Sequence, residues 1–141
     1  IMPTPSTHAF AEKVALITDG ASSIGRAAAM QLALYGCYVV VGFSDETEEN
    51  LRALNELKSL GTLANAVKAD VSTVEGAKNL VAEVEKMFGR LDLLVNCLKF
   101  APDCEFQESA EKDFDKTIAG NLKSVYFVAQ AALPLMLQRP K

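Results

Sequence analysis

The sequence has 141 residues, of which 50% are hydrophobic and 23% are charged, so it is long and apolar enough for one compact domain with a real core. Its net charge of -4 argues against a basic face for nucleic acid. No apolar run approaches the roughly 20 residues that a membrane helix needs, so we expect neither nucleic acid nor membrane as a partner.

The cysteine and histidine content argues against disulfide and metal chemistry. Cys37, Cys97 and Cys104 are odd in number and form no C-x-x-C pair, which favours a reducing, cytoplasmic setting. The single histidine, His8, lies in residues 1–11, which we predict to be a flexible N-terminal tail without the features of a secretory signal. A histidine-based zinc site or a Ser/His/Asp triad would need His8, so no metal site is predicted.

Residues 13–35, KVALITDGASSIGRAAAMQLALY, are the first element and organise the rest of the chain. A buried strand (residues 14–18) is followed by a Gly/Ser turn (residues 19–25) and then by a helix. This order is typical of the start of a parallel α/β sheet. The start of that helix offers free N–H groups and a positive dipole end, which together favour a bound phosphate.

The following segments alternate in the same way. Strands are predicted at residues 37–43, 63–69 and 91–96, separated by helices, and a long helix is predicted from about residue 110. This alternation predicts a Rossmann-type, doubly wound parallel sheet with helices on both faces. Ligands bind such sheets at the carboxyl ends of the strands, where the Asp19 turn, Phe43, Asp70 and Asn96 fall.

Polar residues ahead of the helical segments predict their first turns. Asp45 with Glu48, and Ser72 with Glu75, have the spacing of capping boxes, and Ser109 precedes the long helix. In the helix after residue 47, one packing stripe is predicted at helical spacing, formed by Leu51, Leu54, Leu57 and Leu60.

Four segments in this order resemble the short-chain dehydrogenase/reductase family. They are VALIT with GASSIGRAAA, KADVS, GRLDLLVN and GNLKSVYFVAQAALPLM. The resemblance covers residues 12–141, the domain that we predict, and is closest to the carbonyl and 3-oxoacyl reductases of the family. It implies the N-terminal, cofactor-binding half of the family fold, without its C-terminal strands and helices.

The resemblance also implies roles for single residues. It places Gly25 near the cofactor pyrophosphate, Asp70 and Val71 at the adenine, and Asn96 at the start of the family's Asn-Asn-Ala-Gly segment. It matches Asn121 to the catalytic asparagine that holds a water in a proton relay. The turn residues implied in cofactor binding are Gly20, Ser22, Ser23, Ile24 and Gly25. From the residues alone, Asp70 also fits a polar helix entrance, and Asn121 fits an amide that packs a helix.

The end of the second predicted strand bears on the choice of cofactor. Dehydrogenases that prefer NAD usually carry an acidic residue there, which binds the ribose hydroxyls. This chain has Phe43 and Ser44 instead, which favours NADP(H) over NAD(H). No arginine adjoins them to pair with a 2′-phosphate, and Arg26 is a distant contributor or a surface residue.

The turn and the fourth strand also depart from the family pattern. Asp19 and Ser23 stand where glycines are expected, unless Gly20 is the first glycine of a turn one residue shorter. Asn96 is followed by Cys97-Leu98-Lys99 in place of Asn-Ala-Gly. Lys99 either obstructs the nicotinamide side or swings out to pair with a phosphate.

The family's acid–base pair, Tyr-x-x-x-Lys, is absent from this sequence. Its three tyrosines, Tyr35, Tyr38 and Tyr126, are followed four residues later by Val, Gly and Gln. In the family mechanism the lysine lowers the tyrosine pKa so that the tyrosine can transfer a proton near neutral pH.

Three functions remain as hypotheses. The first is an NADP(H)-dependent oxidoreductase acting on a small carbonyl or alcohol substrate, represented by its nucleotide-binding half. The second is a non-catalytic scaffold or partner subunit derived from the same family. The third, a phosphate-binding NTPase, has the G-x-x-x-x-G spacing of Gly20 and Gly25 but lacks the Lys-Ser/Thr that should follow. Because family members commonly pair through the long helix, the resemblance also implies a homo-oligomer, a dimer or tetramer.

Overall fold

The structure is a computed structural model that describes residues 9–60 and 63–138. The strands of this part of the chain are β1 (Val14–Thr18), β2 (Tyr38–Phe43), β3 (Ala64–Lys68) and β4 (Leu93–Val95). The helices are α1 (Ser23–Leu34), α2 (Glu48–Ser59), α3 (Val74–Phe88), α4 (Glu111–Ile118) and α5 (Ser124–Leu137). A short 3-10 helix (Phe106–Glu108) precedes α4, and a π-helical turn (Ala119–Lys123) joins α4 to α5.

The strands form one parallel sheet in the order β3-β2-β1-β4. In the middle of it, Ile17 of β1 lies opposite Val41 of β2 and Val95 of β4. All five residues of β1 are buried, as expected for a central strand covered on both faces. The predicted parallel α/β sheet is therefore confirmed.

Helices cover both faces of the sheet because side chains alternate along each strand. Leu16 and Val40 point into a core shared with α3 and α5. Their neighbours Ile17 and Val41 point into a second core shared with α1 and α2. This two-sided packing fixes the position of every strand end, and the strand ends carry the candidate site.

Two predicted helix caps are wrong by one or two residues. Thr47, not Asp45, caps α2 and accepts a hydrogen bond from the Asn50 N–H at 3.2 Å. Thr73, not Ser72, caps α3. Both segments hold several residues that can cap a helix. Which of them does so depends on where the helix must begin for its apolar face to pack against the sheet.

The cap of α4 and the stripe of α2 also need correction. Ala110, not Ser109, precedes α4, and its N–H donates to the Asp113 carboxylate at 2.9 Å. In α2, Leu57 is buried but Leu51 is 55% exposed, because 3-residue steps drift around a helix of 3.6 residues per turn.

The packed part of the chain begins ahead of residue 12. The Phe10 N–H donates to the Tyr35 carbonyl at 3.1 Å, and the two rings meet edge to face with centroids 6.3 Å apart. The rest of the predicted tail, residues 1–8, lies outside the described residues, and the domain boundary stays a prediction.

Candidate functional site

A cleft of about 370 Å³ opens at the carboxyl ends of the strands. One wall is formed by residues at the ends of β1, β2 and β3, and the other by the chain that follows β4 together with α4 and its π-helical turn. Four residues predicted from the sequence line it, namely Phe43, Ser44, Asp70 and Val71. The structure therefore brings together the predicted residues of β2 and β3.

The turn between β1 and α1 is held by Ser22, the N-cap of α1. Its Oγ accepts a hydrogen bond from the Gly25 N–H at 3.1 Å and donates to the Asp19 carbonyl at 2.8 Å. A Cβ on Gly25 would lie 2.3 Å from that carbonyl oxygen, so only glycine fits there. Gly25 thus lets the first turn of α1 close tightly over the loop.

The two residues that could stand as the first glycine of the turn differ in backbone conformation. Asp19 has φ +50°, in the left-handed region that favours glycine, whereas Gly20 is absent from the positive-φ residues of the described chain. Asp19 therefore has the backbone conformation that favours glycine, and Gly20 does not. Gly20 is needed for a different reason, because a Cβ there would lie 2.5 Å from the Val41 Cβ.

The other predicted turn residues lie beside the cleft. Ser23 and Ile24 begin α1 at the surface, and the Ile24 side chain is 72% exposed. Ser22 lines a neighbouring groove of about 300 Å³, which shares Asp19, Phe43 and Ser44 with the cleft. Cleft and groove are thus continuous around the start of α1.

Asp19 is a half-buried carboxylate at the junction of cleft and groove. Burial, and then the negative charge of Glu49 on α2, raise the pKa of Asp19 above its usual range. The start of α1, which should favour an anion, therefore carries an acidic side chain of its own.

Asp70 shapes the loop between β3 and α3 while it lines the cleft. Its Oδ1 accepts hydrogen bonds from the Ser72 N–H at 3.0 Å and the Ser72 hydroxyl at 2.6 Å. Its backbone carbonyl lies so close to α3 that a Cβ on Gly76 would be 1.8 Å from it. Asp70 is therefore both a polar residue at the entrance to α3 and a residue that lines the cleft.

Asn121 lies in the π-helical turn and binds the backbone of the loop after β4. Its Oδ1 accepts from the Phe100 N–H at 2.8 Å, and its Nδ2 donates to the Phe100 carbonyl at 2.6 Å. Gly120 makes room for this contact, because a Cβ there would lie 2.7 Å from the Phe100 Cβ. Asn121 holds the loop against the helix and is not among the residues lining the cleft.

Thr18 was missed by the sequence analysis. It is 1% exposed, and its Oγ1 accepts from the Cys97 N–H at 2.9 Å and the Leu98 N–H at 3.4 Å. The hydroxyl thereby ties the end of β1 to the chain after β4, next to the half-buried Asn96, which does not line the cleft. The sequence feature that could have indicated Thr18 is a polar residue at the end of an otherwise apolar strand.

Three of the residues that depart from the family pattern, Asp19, Leu98 and Lys99, line the cleft. Phe100 lines it as well, and Leu98 also packs against the core beneath α3 and α5. Lys116 of α4, not singled out from the sequence, lines the same wall. The cleft therefore combines two exposed lysines with the carboxylates of the opposite wall.

Arg26 is engaged elsewhere. Its guanidinium forms an exposed ion pair with Glu56 of α2, including an Nε–Oε2 hydrogen bond of 2.8 Å. Within the described residues, no group of three or more potential ligands could hold a metal ion. Over the same residues, no helix is long and apolar enough to cross a membrane.

The family model described as "short chain dehydrogenase" matches residues 13–141. The chain belongs to the short-chain dehydrogenase family. The predicted family is therefore confirmed.

Curated members of the family give the extent of the match. A 3-oxoacyl-[acyl-carrier-protein] reductase FabG of Staphylococcus aureus is 35% identical over 127 residues, covering 90% of this chain and 52% of the reductase. An L-rhamnose 1-dehydrogenase (NAD(P)(+)) of Azotobacter vinelandii is 34% identical over 131 residues, covering 91% of this chain and 51% of the dehydrogenase. The chain thus spans about half the length of these short-chain dehydrogenases.

A solved structure of the family superposes over the same half. The short chain dehydrogenase of Burkholderia cenocepacia, determined in complex with NADP, has a TM-score of 0.84 and 30% identity. The similarity covers 90% of this chain and 52% of the other. It agrees with the predicted fold class, an N-terminal half of the short-chain dehydrogenase fold.

Proposed function

We propose that the chain is the nucleotide-binding half of an NADP(H)-dependent short-chain oxidoreductase that acts on a small carbonyl or alcohol. The observation that carries this proposal is the cleft at the strand ends, lined by Phe43, Ser44, Asp70 and Val71 beside the Ser22-capped start of α1. The structural similarity to a family member in complex with NADP supports it.

The residues of the cleft fit the adenosine half of such a cofactor. Val71 and Leu80 supply buried apolar surface, and Asp70 offers its exposed carboxylate. The close packing at Gly25 lets the first turn of α1 close over the loop, and a diphosphate would meet the N–H groups of this helix start. We propose that the remaining contacts with the cofactor come from the residues predicted from the sequence, namely Gly20, Ser22, Ser23, Ile24 and Asn96.

A bound cofactor would supply the hydride, and the residues of this chain would orient the cofactor. We propose Asn121 as the catalytic asparagine of the family, with its side chain fixing the loop at Phe100. No tyrosine of the sequence is followed four residues later by lysine, so the acid–base pair is not supplied by these 141 residues.

Titration calorimetry with NADP+ and NAD+ tests the proposal. We expect NADP+ to bind more tightly, because Phe43 and Ser44 place no carboxylate at the ribose. In Ser44→Asp, the new charge should weaken NADP+ at least tenfold and change NAD+ little. Ser109→Asp, an exposed position outside the cleft, is the matched control. Tighter binding of NAD+ would overturn the NADP(H) assignment, and binding of neither would overturn the cofactor site.

The second candidate is a non-catalytic scaffold or partner subunit derived from the family. It is favoured by the half-buried carboxylate of Asp19 at the start of α1 and by Leu98 inside the cleft. This candidate predicts that the wild-type chain binds neither dinucleotide. It also predicts that Asp19→Gly combined with Leu98→Ala, which removes both obstacles, gives the chain a dinucleotide affinity that the wild type lacks.

We also propose a homo-oligomer, located in the cytoplasm. A run of large apolar side chains is exposed along α4 and α5, including Phe114 (64%), Leu122 (62%), Tyr126 (60%) and Leu133 (53%). Such a surface favours pairing with a second copy. Light scattering should give at least twice the 15.2 kDa chain mass, reduced by Leu122→Glu, and a wild-type monomer would contradict the proposal. The cytoplasmic location rests on the odd number of cysteines in the sequence and the absence of a C-x-x-C pair.

A further inference from the structure

Asp19 places a negative charge where the proposed ligand would carry its own. The residue lines both the cleft and the adjoining groove. Its backbone is fixed, because its carbonyl accepts from the Ser22 N–H at 3.0 Å and the Ser22 hydroxyl at 2.8 Å. The turn that starts α1 therefore holds the backbone of Asp19 at the junction of cleft and groove.

No neighbour stabilises the charge of this carboxylate. In residues 9–60 and 63–138, Asp19 forms no ion pair, and its side chain accepts no hydrogen bond. Glu49 of α2 adds negative charge, and burial adds a desolvation cost, so both raise the pKa of Asp19. The charge of Asp19 in turn contributes to the raised pKa of Cys97, after the effect of burial.

The other charged groups around Asp19 come from five parts of the fold. The β2–α2 loop and α2 contribute acids, the β3–α3 loop one further acid, and the loop after β4 and α4 two exposed lysines across the cleft. These groups are Asp45, Glu49, Asp70, Lys99 and Lys116.

We propose that dinucleotide binding at this cleft is coupled to the uptake of one proton by the Asp19 carboxylate. This inference rests on the proposed function. A diphosphate at the start of α1 would bring two negative charges next to Asp19, which has no cation paired with it. A proton from solvent converts the carboxylate into a carboxylic acid, whose O–H can donate to a phosphate oxygen. Repulsion is thereby replaced by a hydrogen bond, and no other atom changes its bonding.

The coupling has a thermodynamic signature. If NADP+ binds only to protein in which Asp19 is protonated, the affinity for NADP+ decreases as pH rises. The decrease approaches about tenfold per pH unit once Asp19 of the unbound protein is ionised. Asp19→Asn removes the titration, keeps a hydrogen-bond donor and tolerates the left-handed backbone. It should therefore bind NADP+ more tightly than wild type at neutral pH, by at least tenfold.

Titration calorimetry with NADP+ between pH 5.5 and 8, in buffers of different ionisation enthalpy, counts the protons taken up. At pH 7.5 we expect the wild-type chain to take up close to one proton more than Asp19→Asn. Comparing the two proteins removes the titration of the ligand's own 2′-phosphate, which is common to both. Glu49→Gln should shift the wild-type profile to lower pH, and Asp103→Asn, exposed and outside the cleft, should leave it unchanged.

Two results would overturn the inference, and they differ in what else they reject. Equal proton uptake by wild type and Asp19→Asn, with NADP+ bound by both, would reject the coupling and leave the proposed function intact. Absence of NADP+ binding by both proteins across the pH range would reject the coupling and the proposed cofactor site together.

Discussion

Replacement of Asn121 by alanine tests how the loop after β4 is held. The substitution removes two hydrogen bonds, to the Phe100 N–H at 2.8 Å and to the Phe100 carbonyl at 2.6 Å. A hydrogen bond contributes about 0.5–1.5 kcal/mol net, so two give about 1–3 kcal/mol. Asn121 is half-buried, and water can replace part of this loss. We therefore expect the free energy of unfolding to fall by about 1–2 kcal/mol.

Urea unfolding measures the global effect as a lower midpoint with an unchanged m-value. Hydrogen exchange of the Phe100 amide reports the local effect, because its hydrogen-bond acceptor is the Asn121 side chain. Asn79→Ala, an exposed amide on α3, is the matched control. It carries a similar gain in helix propensity without the contact to the loop. If Asn121→Ala leaves the exchange of the Phe100 amide unchanged, the proposed holding role is wrong.

Three further substitutions test the turns and the electrostatics. Asp19→Asn should stabilise the fold at pH 7 and not near pH 3, because burial and a neighbouring carboxylate raise the pKa of Asp19 and its charged form opposes folding. Asp92→Asn should destabilise by about 1 kcal/mol above pH 4. Burial opposes the charge of Asp92, but hydrogen bonds from Arg90 help to lower its pKa. That stability is present above the unfolded pKa of about 3.9 and is lost as pH falls through the folded value. Gly76→Ala should cost more than 2 kcal/mol, because its Cβ would meet the Asp70 carbonyl at 1.8 Å.

Urea midpoints measured across pH check all three. A destabilised Asp19→Asn at pH 7 would contradict the electrostatic account of the turn. An Asp92→Asn effect that does not decrease as pH falls below the unfolded pKa of about 3.9 would contradict the account of Asp92. For Gly76→Ala, Gly89→Ala is an instructive comparison. Gly89 has open space around its Cβ position but φ +65°, so the cost there is backbone strain alone.

The sheet was predictable from the sequence because its signals are local and repeated. Val14–Thr18 and Tyr38–Phe43 are apolar and rich in β-branched residues, and glycine turns separate them from helices. Helix starts were less predictable, since Asp45 and Thr47 are both able to cap α2. Which one does so depends on the packing of α2 against the sheet, and packing is not a local property.

The candidate site was predictable where it depends on strand ends and unpredictable where it depends on loops. Phe43 and Asp70 reach the cleft because parallel strands end at one edge. The positive φ of Asp19 has no signature in a sequence that offers Gly20 next to it. The contact between Asn121 and Phe100 joins residues 21 positions apart, through a loop whose path the sequence pattern does not define.

The π-helical turn sets how α4 is rotated relative to α5 about the axis of the long helix. The Ser124 N–H bonds to the Ala119 carbonyl five residues back, so this turn holds one residue more than an α-helical turn. Each residue advances an α-helix by about 100°. If the same five residues, Ala119–Lys123, formed a plain α-helix instead, α4 would rotate against α5 by most of that angle. With α5 anchored by its buried face, Asn121 would then point away from Phe100. The extra residue therefore lets one helix satisfy both the core beneath α5 and the loop beside the cleft.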